Sequence, residues 1–234
     1  MTILCIESST SVCSAAICKD GEPNKQCISY EGSNHARLLP RYIEELLSFA
    51  REQGLSIEAV ALSEGPGSYT GLRIGASTAK GLCYGLNIPL IPVPTLDVLC
   101  EAARKSLCSV SEAVLIPMID ARRMEVYTKV DGETKAVVVE NEESVLCQNS
   151  GLAAERSYYY FGDGAEKCSK IFTKPNWHFI PGIVPEAQHM GALAEQIINH
   201  KSQITNHQSI DLAYYEPFYL KEFIAAPSHV KGLN

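Results

Sequence analysis

Apolar residues gather in short runs at the start of the chain and again near its middle, and the two groups follow one plan. Residues 3–6 form a β-type run that ends in an acid, Glu7. A polar link from Ser8 to Ser11 leads to a second run, Val12 to Cys18, and an Asp20-Gly21 turn precedes a third near Gln26–Tyr30. About halfway along, Val114 to Ile119 ends in Asp120, Ala121-Arg122-Arg123 links it to Met124–Val130, and Asp131-Gly132 turns into Thr134–Val139. Asp-Gly between apolar runs signals a hairpin, because both turn residues tolerate positive φ. Two three-strand meanders, each led by a strand ending in a carboxylate, predict a duplicated α/β domain.

Between the meanders the spacing becomes helical. Leu38, Leu39, Tyr42, Ile43, Leu46, Leu47 and Ala50 predict an amphipathic helix over 34–52, with Asn34 as its N-cap and Gly54 as its stop. Pro40 falls near the first turns, where a missing N–H costs least. Strands are expected at 57–62 and 88–93, and helices at 71–86 and 95–107. Beyond the second meander, 158–161 reads as an aromatic strand and 187–199 as a helix, with 140–157 and 165–185 as loop. No low-complexity linker divides the chain, so a lobe of residues 1–103 and a smaller, less regular lobe of 104–234 are expected to pack directly.

Composition narrows the function. Of 234 residues, 46% are hydrophobic and 20% charged, as in ordinary globular proteins. No apolar run reaches the roughly 18–20 residues of a membrane span, and the first residues lack a secretory pattern, so a cytoplasmic protein is expected. Nine cysteines at irregular spacing, with no C-x-x-C, read as buried reduced thiols. The net charge of −7 opposes unaided binding to nucleic acid, which draws most of its affinity from basic side chains on phosphates. Six scattered histidines (35, 178, 189, 200, 207, 229) show no H-x-x-H or H-x-x-x-H spacing, so no metal ligand set is spelled.

The segment Gly65-Pro66-Gly67-Ser68-Tyr69-Thr70-Gly71-Leu72-Arg73-Ile74-Gly75 follows a strand and opens a helix. Glycines there let backbone approach a ligand, and helix N-termini attract anions. It is neither a P-loop, which needs a Gly-Lys-Ser/Thr ending, nor a dinucleotide fingerprint, because Thr70 replaces the third glycine. Gly71, Gly75 and Ala79 lie four apart and share one face. That face suits close packing on the domain's own sheet or contact with a partner subunit.

The run Gly65 to Gly75, with Ala79-Lys80-Gly81-Leu82 and Ile88-Pro89 after it, resembles the TsaB (YeaZ) family. Shorter pieces agree in order: Ile6-Glu7-Ser8-Ser9-Thr10, His35-x-x-Leu38-Leu39-Pro40, Pro94-Thr95-Leu96, Asp120-Ala121-Arg122 with Glu125-Val126-Tyr127, and Pro217-x-Tyr219-Leu220-Lys221. The likeness covers almost the whole chain, although 140–210 adds little. The family carries Asp where this chain has Glu7, and Arg where it has Lys221.

The resemblance implies a duplicated actin-like α/β fold of the ribonuclease H type, with two lobes facing a nucleotide cleft. It also implies a non-catalytic subunit for N6-threonylcarbamoyladenosine formation at position 37 of ANN-reading tRNAs. Such a subunit pairs with a TsaD-like transferase and works with a TsaE-like ATPase, meeting tRNA only through the complex. Carried onto this chain, Glu7, Ser9, Thr10 and Gly67 form a vestigial phosphate-facing wall, with no cofactor expected. Leu39, Ile43, Gly71, Ile74, Gly75, Thr78 and Ala79 form the partner face, which could also pair two copies of an isolated chain. Arg122 and Arg123 crowd the second phosphate turn and remain as anion contacts; Gly162-Asp163-Gly164 reads as a simple turn. Two alternatives stand beside this reading. One is a small-molecule kinase of the same fold, with Asp120 or Asp97 as base. The other is a metallopeptidase relative, which the missing histidine pair disfavours.

Overall fold

The structure, a computed structural model, describes residues 1–32, 34–107, 113–146, 156–204 and 210–221. Strands β1 (Thr2–Glu7), β2 (Cys13–Lys19) and β3 (Glu22–Ser29) form the first meander. Asp20 and Gly21 close its hairpin with φ of 51° and 81°, the left-handed pair that a two-residue turn demands. Strand β4 (Ala59–Gly65) then runs parallel to β1, and β5 (Leu90–Pro94) parallel to β4, giving the order β3-β2-β1-β4-β5.

The second sheet repeats that plan. Its strands are β6 (Val114–Asp120), β7 (Glu125–Val130), β8 (Glu133–Val138), β9 (Tyr158–Phe161) and β10 (Trp177–Ile180), in the order β8-β7-β6-β9-β10. Again the first three are antiparallel and the last two parallel to the lead strand's side of the sheet. Asp131 and Gly132 repeat the turn, at 51° and 83°. This is the duplicated actin-like α/β fold.

Helices cover the first sheet on both faces. On one lie α1 (His35–Glu52) and α2 (Tyr69–Leu86), whose Leu39, Ile43, Leu46 and Ala79 join Leu4, Ile6, Val60 and Leu62 in a single core. Asn34 holds the N-cap position of α1, as expected, though without a side-chain cap bond. At the other end Gly54 adopts φ +64° and Leu55 N–H reaches Ala50 O at 2.8 Å, the paired closure that glycine permits.

Helix α3 (Thr95–Ser106) lies between the sheets. Its Leu96, Leu99 and Ala103 pack with Ile119 and Phe161 of the second sheet, and Asp97 bonds Lys129 Nζ at 2.6 and 2.8 Å. The segments read as loop contain short elements: α4 (Glu142–Val145), α5 (Ala165–Cys168) and β10. Each is four residues long, too short for periodicity to register. Finally α6 (Gly191–Ile204), preceded by a 3-10 turn at Ala187–His189, packs on the far face of the first sheet. Ala187, Met190 and Ala194 there meet Ile3, Cys5, Ala16 and Cys18, although a division at residue 103 assigns them to the second lobe.

Among the described residues, Cys5, Cys13, Cys18, Cys27, Cys83, Cys100 and Cys168 are free and buried. No described helix is long and apolar enough to cross a membrane.

Candidate functional site

A cleft of about 890 Å³ opens between the two lobes. Its first wall is the turn after β1 (Ser9, Thr10, Ser11) with the glycine-rich entry to α2, Gly67 to Gly71. Its second wall is the end of β6 with the turn beyond it, Ile119 to Arg122, together with Tyr127 and Asp163. Phe218 to Lys221 close the mouth.

The glycines of the first wall serve a close approach of backbone to backbone. A Cβ at Gly67 would stand 2.3 Å from the carbonyl oxygen of Ser9, and one at Gly71 2.1 Å from that of Ser8. A Cβ at Gly75 would meet Ser8 Oγ at 2.2 Å and Leu62 Cδ1 at 3.0 Å. Hydrogen bonds exploit the approach: Ser68 N–H donates to Ser9 O at 2.6 Å and Ser8 Oγ to Gly71 O at 3.0 Å. Ser68 also caps α2, its hydroxyl accepting from Gly71 N–H.

The residues of the expected partner face lie in and around this contact. Leu39, Ile43, Gly71, Gly75 and Ala79 are buried against the chain's own strands, because the small-residue stripe of α2 is what lets it sit on the β1 turn. Ile74 and Thr78 remain half-exposed. Farther along, Gly81 and Gly85 face open space, with nothing within 4 Å of a Cβ.

Glu7 lies apart from the other residues of the expected wall. Ser9, Thr10 and Gly67 do line the cleft, but the Glu7 side chain is 0% exposed and lies beneath it. Its Oε1 accepts from Ser9 N–H at 2.7 Å and from Ser9 Oγ at 2.5 Å, while Oε2 has no hydrogen-bond partner among the described residues. Burial pushes its pKa up to about 7, against the pull of those donors.

On the second wall, Arg122 and Arg123 adopt φ of 68° and 50°, an uncommon region for residues with side chains. Arg122 lines the cleft; Arg123 does not. Asp120 is engaged from three directions. Its carboxylate accepts from Arg122 N–H at 3.2 Å and pairs with Lys167, and its own N–H donates to Asp163 at 2.9 Å. Asp97, the other candidate base, sits outside the cleft in its pair with Lys129. Gly162 and Gly164 press against the backbone of Met118 and Ile119, which makes their turn a packing device.

An actin-like cleft implies a magnesium nucleotide, and the residues here do not fit one. The first-lobe carboxylate is sealed under the Ser9 turn, and the second-lobe turn presents an arginine where backbone would have to cradle phosphate. Among the described residues no group of three or more His, Cys, Asp or Glu is placed to hold a metal ion.

Sequence reasoning missed the strap formed by 210–221. Phe218 N–H donates to Glu64 O at 2.7 Å, and Lys80 Nζ donates to the carbonyls of Ala213 and Tyr215, both at 3.2 Å. Tyr219 packs on Tyr69 with ring centroids 5.0 Å apart. Lys221 then crosses to the second lobe, where it pairs with Glu125 and lies 5.8 Å from the Tyr127 ring. The strap thus ties the lobes together across the cleft mouth. Its one signal in the sequence was Pro217-x-Tyr219-Leu220-Lys221.

Comparison with known proteins adds to this geometry. A family model described as TsaD, tRNA N6-adenosine threonylcarbamoyltransferase, matches residues 30–226. The tRNA threonylcarbamoyladenosine biosynthesis protein TsaB of Haemophilus influenzae is 35% identical over 127 residues, covering 54% of this chain and 52% of that protein. The Bacillus subtilis protein of the same name is 33% identical over 129 residues, so these two alignments span about half of each relative. The Escherichia coli TsaB protein is 27% identical over 234 residues, 96% of both chains. YeaZ from Pseudomonas aeruginosa superposes with a TM-score of 0.73 over 94% of this chain and 99% of that one, at 23% identity, which speaks for the fold.

Proposed function

The chain belongs to the TsaB (YeaZ) family, and from that membership we propose that it is a subunit without chemistry of its own, required for N6-threonylcarbamoyladenosine formation at position 37 of ANN-reading tRNAs. In this reading it binds and supports a TsaD-like transferase in the cytoplasm, alongside a TsaE-like ATPase. The observation that carries the non-catalytic part is the enclosure of Glu7. A carboxylate at 0% exposure, folded back on Ser9, cannot position a metal-bound water over a phosphate.

The partner surface falls on the outer flank of α2, from Ile74 and Thr78 to Gly81 and Gly85. Glycine inside a helix costs about 0.5–1 kcal/mol relative to alanine. At Gly71 and Gly75 the cost is offset by packing on Ser8, but none of the described residues occupies the space beside Gly81 and Gly85. A second helix approaching there could come within backbone distance. The same flank would pair two copies when the partner is absent. The lobes are taken as 1–103, carrying this flank, and 104–234.

Reconstitution tests the reading. Threonylcarbamoylation of an ANN-reading tRNA by the transferase and ATPase is expected to require this chain. Calorimetry of the chain alone with ATP and magnesium is expected to show no binding. Full modification without the chain, or turnover by the chain alone, would overturn the proposal.

A further inference from the structure

A second groove, about 510 Å³, runs along the other flank of α2, where the strap lies against the helix. Tyr69, Arg73, Lys80, Tyr215, Tyr219 and Lys221 line it, with Glu216 as the one carboxylate among its lining residues. Lys221 is already paired with Glu125, so Arg73 and Lys80 carry the local reversal of sign in a chain of net charge −7.

The cations are held beside aromatic rings. The Arg73 guanidinium lies 5.0 Å from the centroid of Tyr69 and donates to its hydroxyl at 2.9 Å. Tyr69 in turn packs on Tyr219. Lys80 is fixed by two strap carbonyls. One helical turn beyond it stands Tyr84, 85% exposed, and on the strap Tyr214 is 84% exposed. From Tyr69 to Tyr84 the helix extends about 22 Å, enough for several nucleotides.

At its other end the groove joins the interlobe cleft, since Tyr69, Tyr219 and Lys221 line both. Rings that accept stacked bases beside cations that meet phosphates are the two parts of a single-strand nucleic-acid surface. A folded protein partner would be better matched by the apolar and small residues on the opposite flank of α2.

We propose that the groove between α2 and the 210–221 strap receives single-stranded RNA, with bases stacking at Tyr69 and Tyr219 and phosphates meeting Arg73 and Lys80. The inference rests on the tRNA-modification reading and extends it, giving this chain an RNA contact of its own rather than one made only through its partner.

The test is titration of the isolated full chain into a fluorescein-labelled oligouridylate decamer at low ionic strength, read by fluorescence anisotropy. The wild type is expected to bind and to weaken with salt. Arg73→Glu should weaken binding about tenfold and reduce the salt slope by about 0.7, the value for one phosphate contact on a single strand. Arg73 is exposed, so that variant keeps its fold. Tyr219→Leu should lose about fivefold or more, the worth of one stacked base. No binding by the wild type, or equal binding by all three, overturns the proposal. So does an Arg73→Glu variant that binds RNA normally but no longer co-elutes with the transferase, because the groove would then be a protein contact. Failure of the subunit reading appears separately, as tRNA modification that proceeds without this chain.

Discussion

Ser9 gives both its backbone N–H and its hydroxyl to one oxygen of Glu7, at 2.7 and 2.5 Å, and leaves the other oxygen enclosed without a partner among the described residues. The carboxyl is therefore easier to bury protonated than charged, and its pKa rises from 4.5 to about 7. Below pH 4.5 the folded and unfolded chains both hold the proton. Between 4.5 and about 7 only the folded chain does, so stability falls as pH rises through that window and levels off above it. The full loss is about 3 kcal/mol. Urea unfolding of the wild type from pH 5 to 8 should show the decline, and Glu7→Gln should flatten it. Parallel pH profiles for the two proteins would show that Glu7 is not the group responsible.

Gly71→Ala and Gly75→Ala should each destabilise the isolated chain by about 2 kcal/mol or more, since the new methyl meets Ser8 at 2.1 or 2.2 Å. Gly71→Ala is the harsher of the two, because it meets a carbonyl oxygen rather than a hydroxyl that can rotate away. Thermal unfolding without any partner is the measurement. Unchanged melting would mean that the small-residue face does not carry the packing described above.

Gly81 gives the opposite expectation. With open space around it, Gly81→Ala should stabilise the isolated chain by about 0.5–1 kcal/mol through helix propensity alone. Gly81→Arg should fold as well as the wild type yet fail to co-elute with a TsaD-like transferase. Retained co-elution would move the interface off this flank.

The contrast between these glycines marks the limit of what the sequence revealed. The Asp20-Gly21 and Asp131-Gly132 turns and the lead strands ending in Glu7 and Asp120 were legible, because turn chemistry and strand alternation are local. The four-apart spacing of Gly71, Gly75 and Ala79 showed that they share a face. It could not show what that face meets, because the answer, Ser8, lies more than sixty residues away in the chain. The burial of Glu7 was out of reach for a similar reason. The resemblance placed it on the cleft wall, whereas in the structure its side chain lies beneath the wall, held by the Ser9 donors. The strap escaped because its contacts are backbone carbonyls and ring stacking, which leave no periodic trace.

The seam between the lobes should depend on apolar contact more than on charge. Leu99 is fully buried where α3 meets Ile119 and Phe161, so Leu99→Ala should cost about 2–5 kcal/mol. The Lys129–Asp97 pair beside it is 26% and 31% exposed, and water screens it. Asp97→Asn should change stability by less than about 1 kcal/mol. Denaturant midpoints for the two variants test the ranking, and a larger loss from Asp97→Asn would reverse it.

On the far face of the first sheet, Ala187, Met190 and Ala194 cover β1 and β2, more than 160 positions after the strands they shield. A chain emerging from a ribosome must therefore carry Ile3, Cys5 and Cys18 uncovered while the entire second sheet is being made. The opening third of this protein is not a unit that can mature by itself. Its first-made strands are finished last, which favours slow, non-local closure and an early need for protection from aggregation.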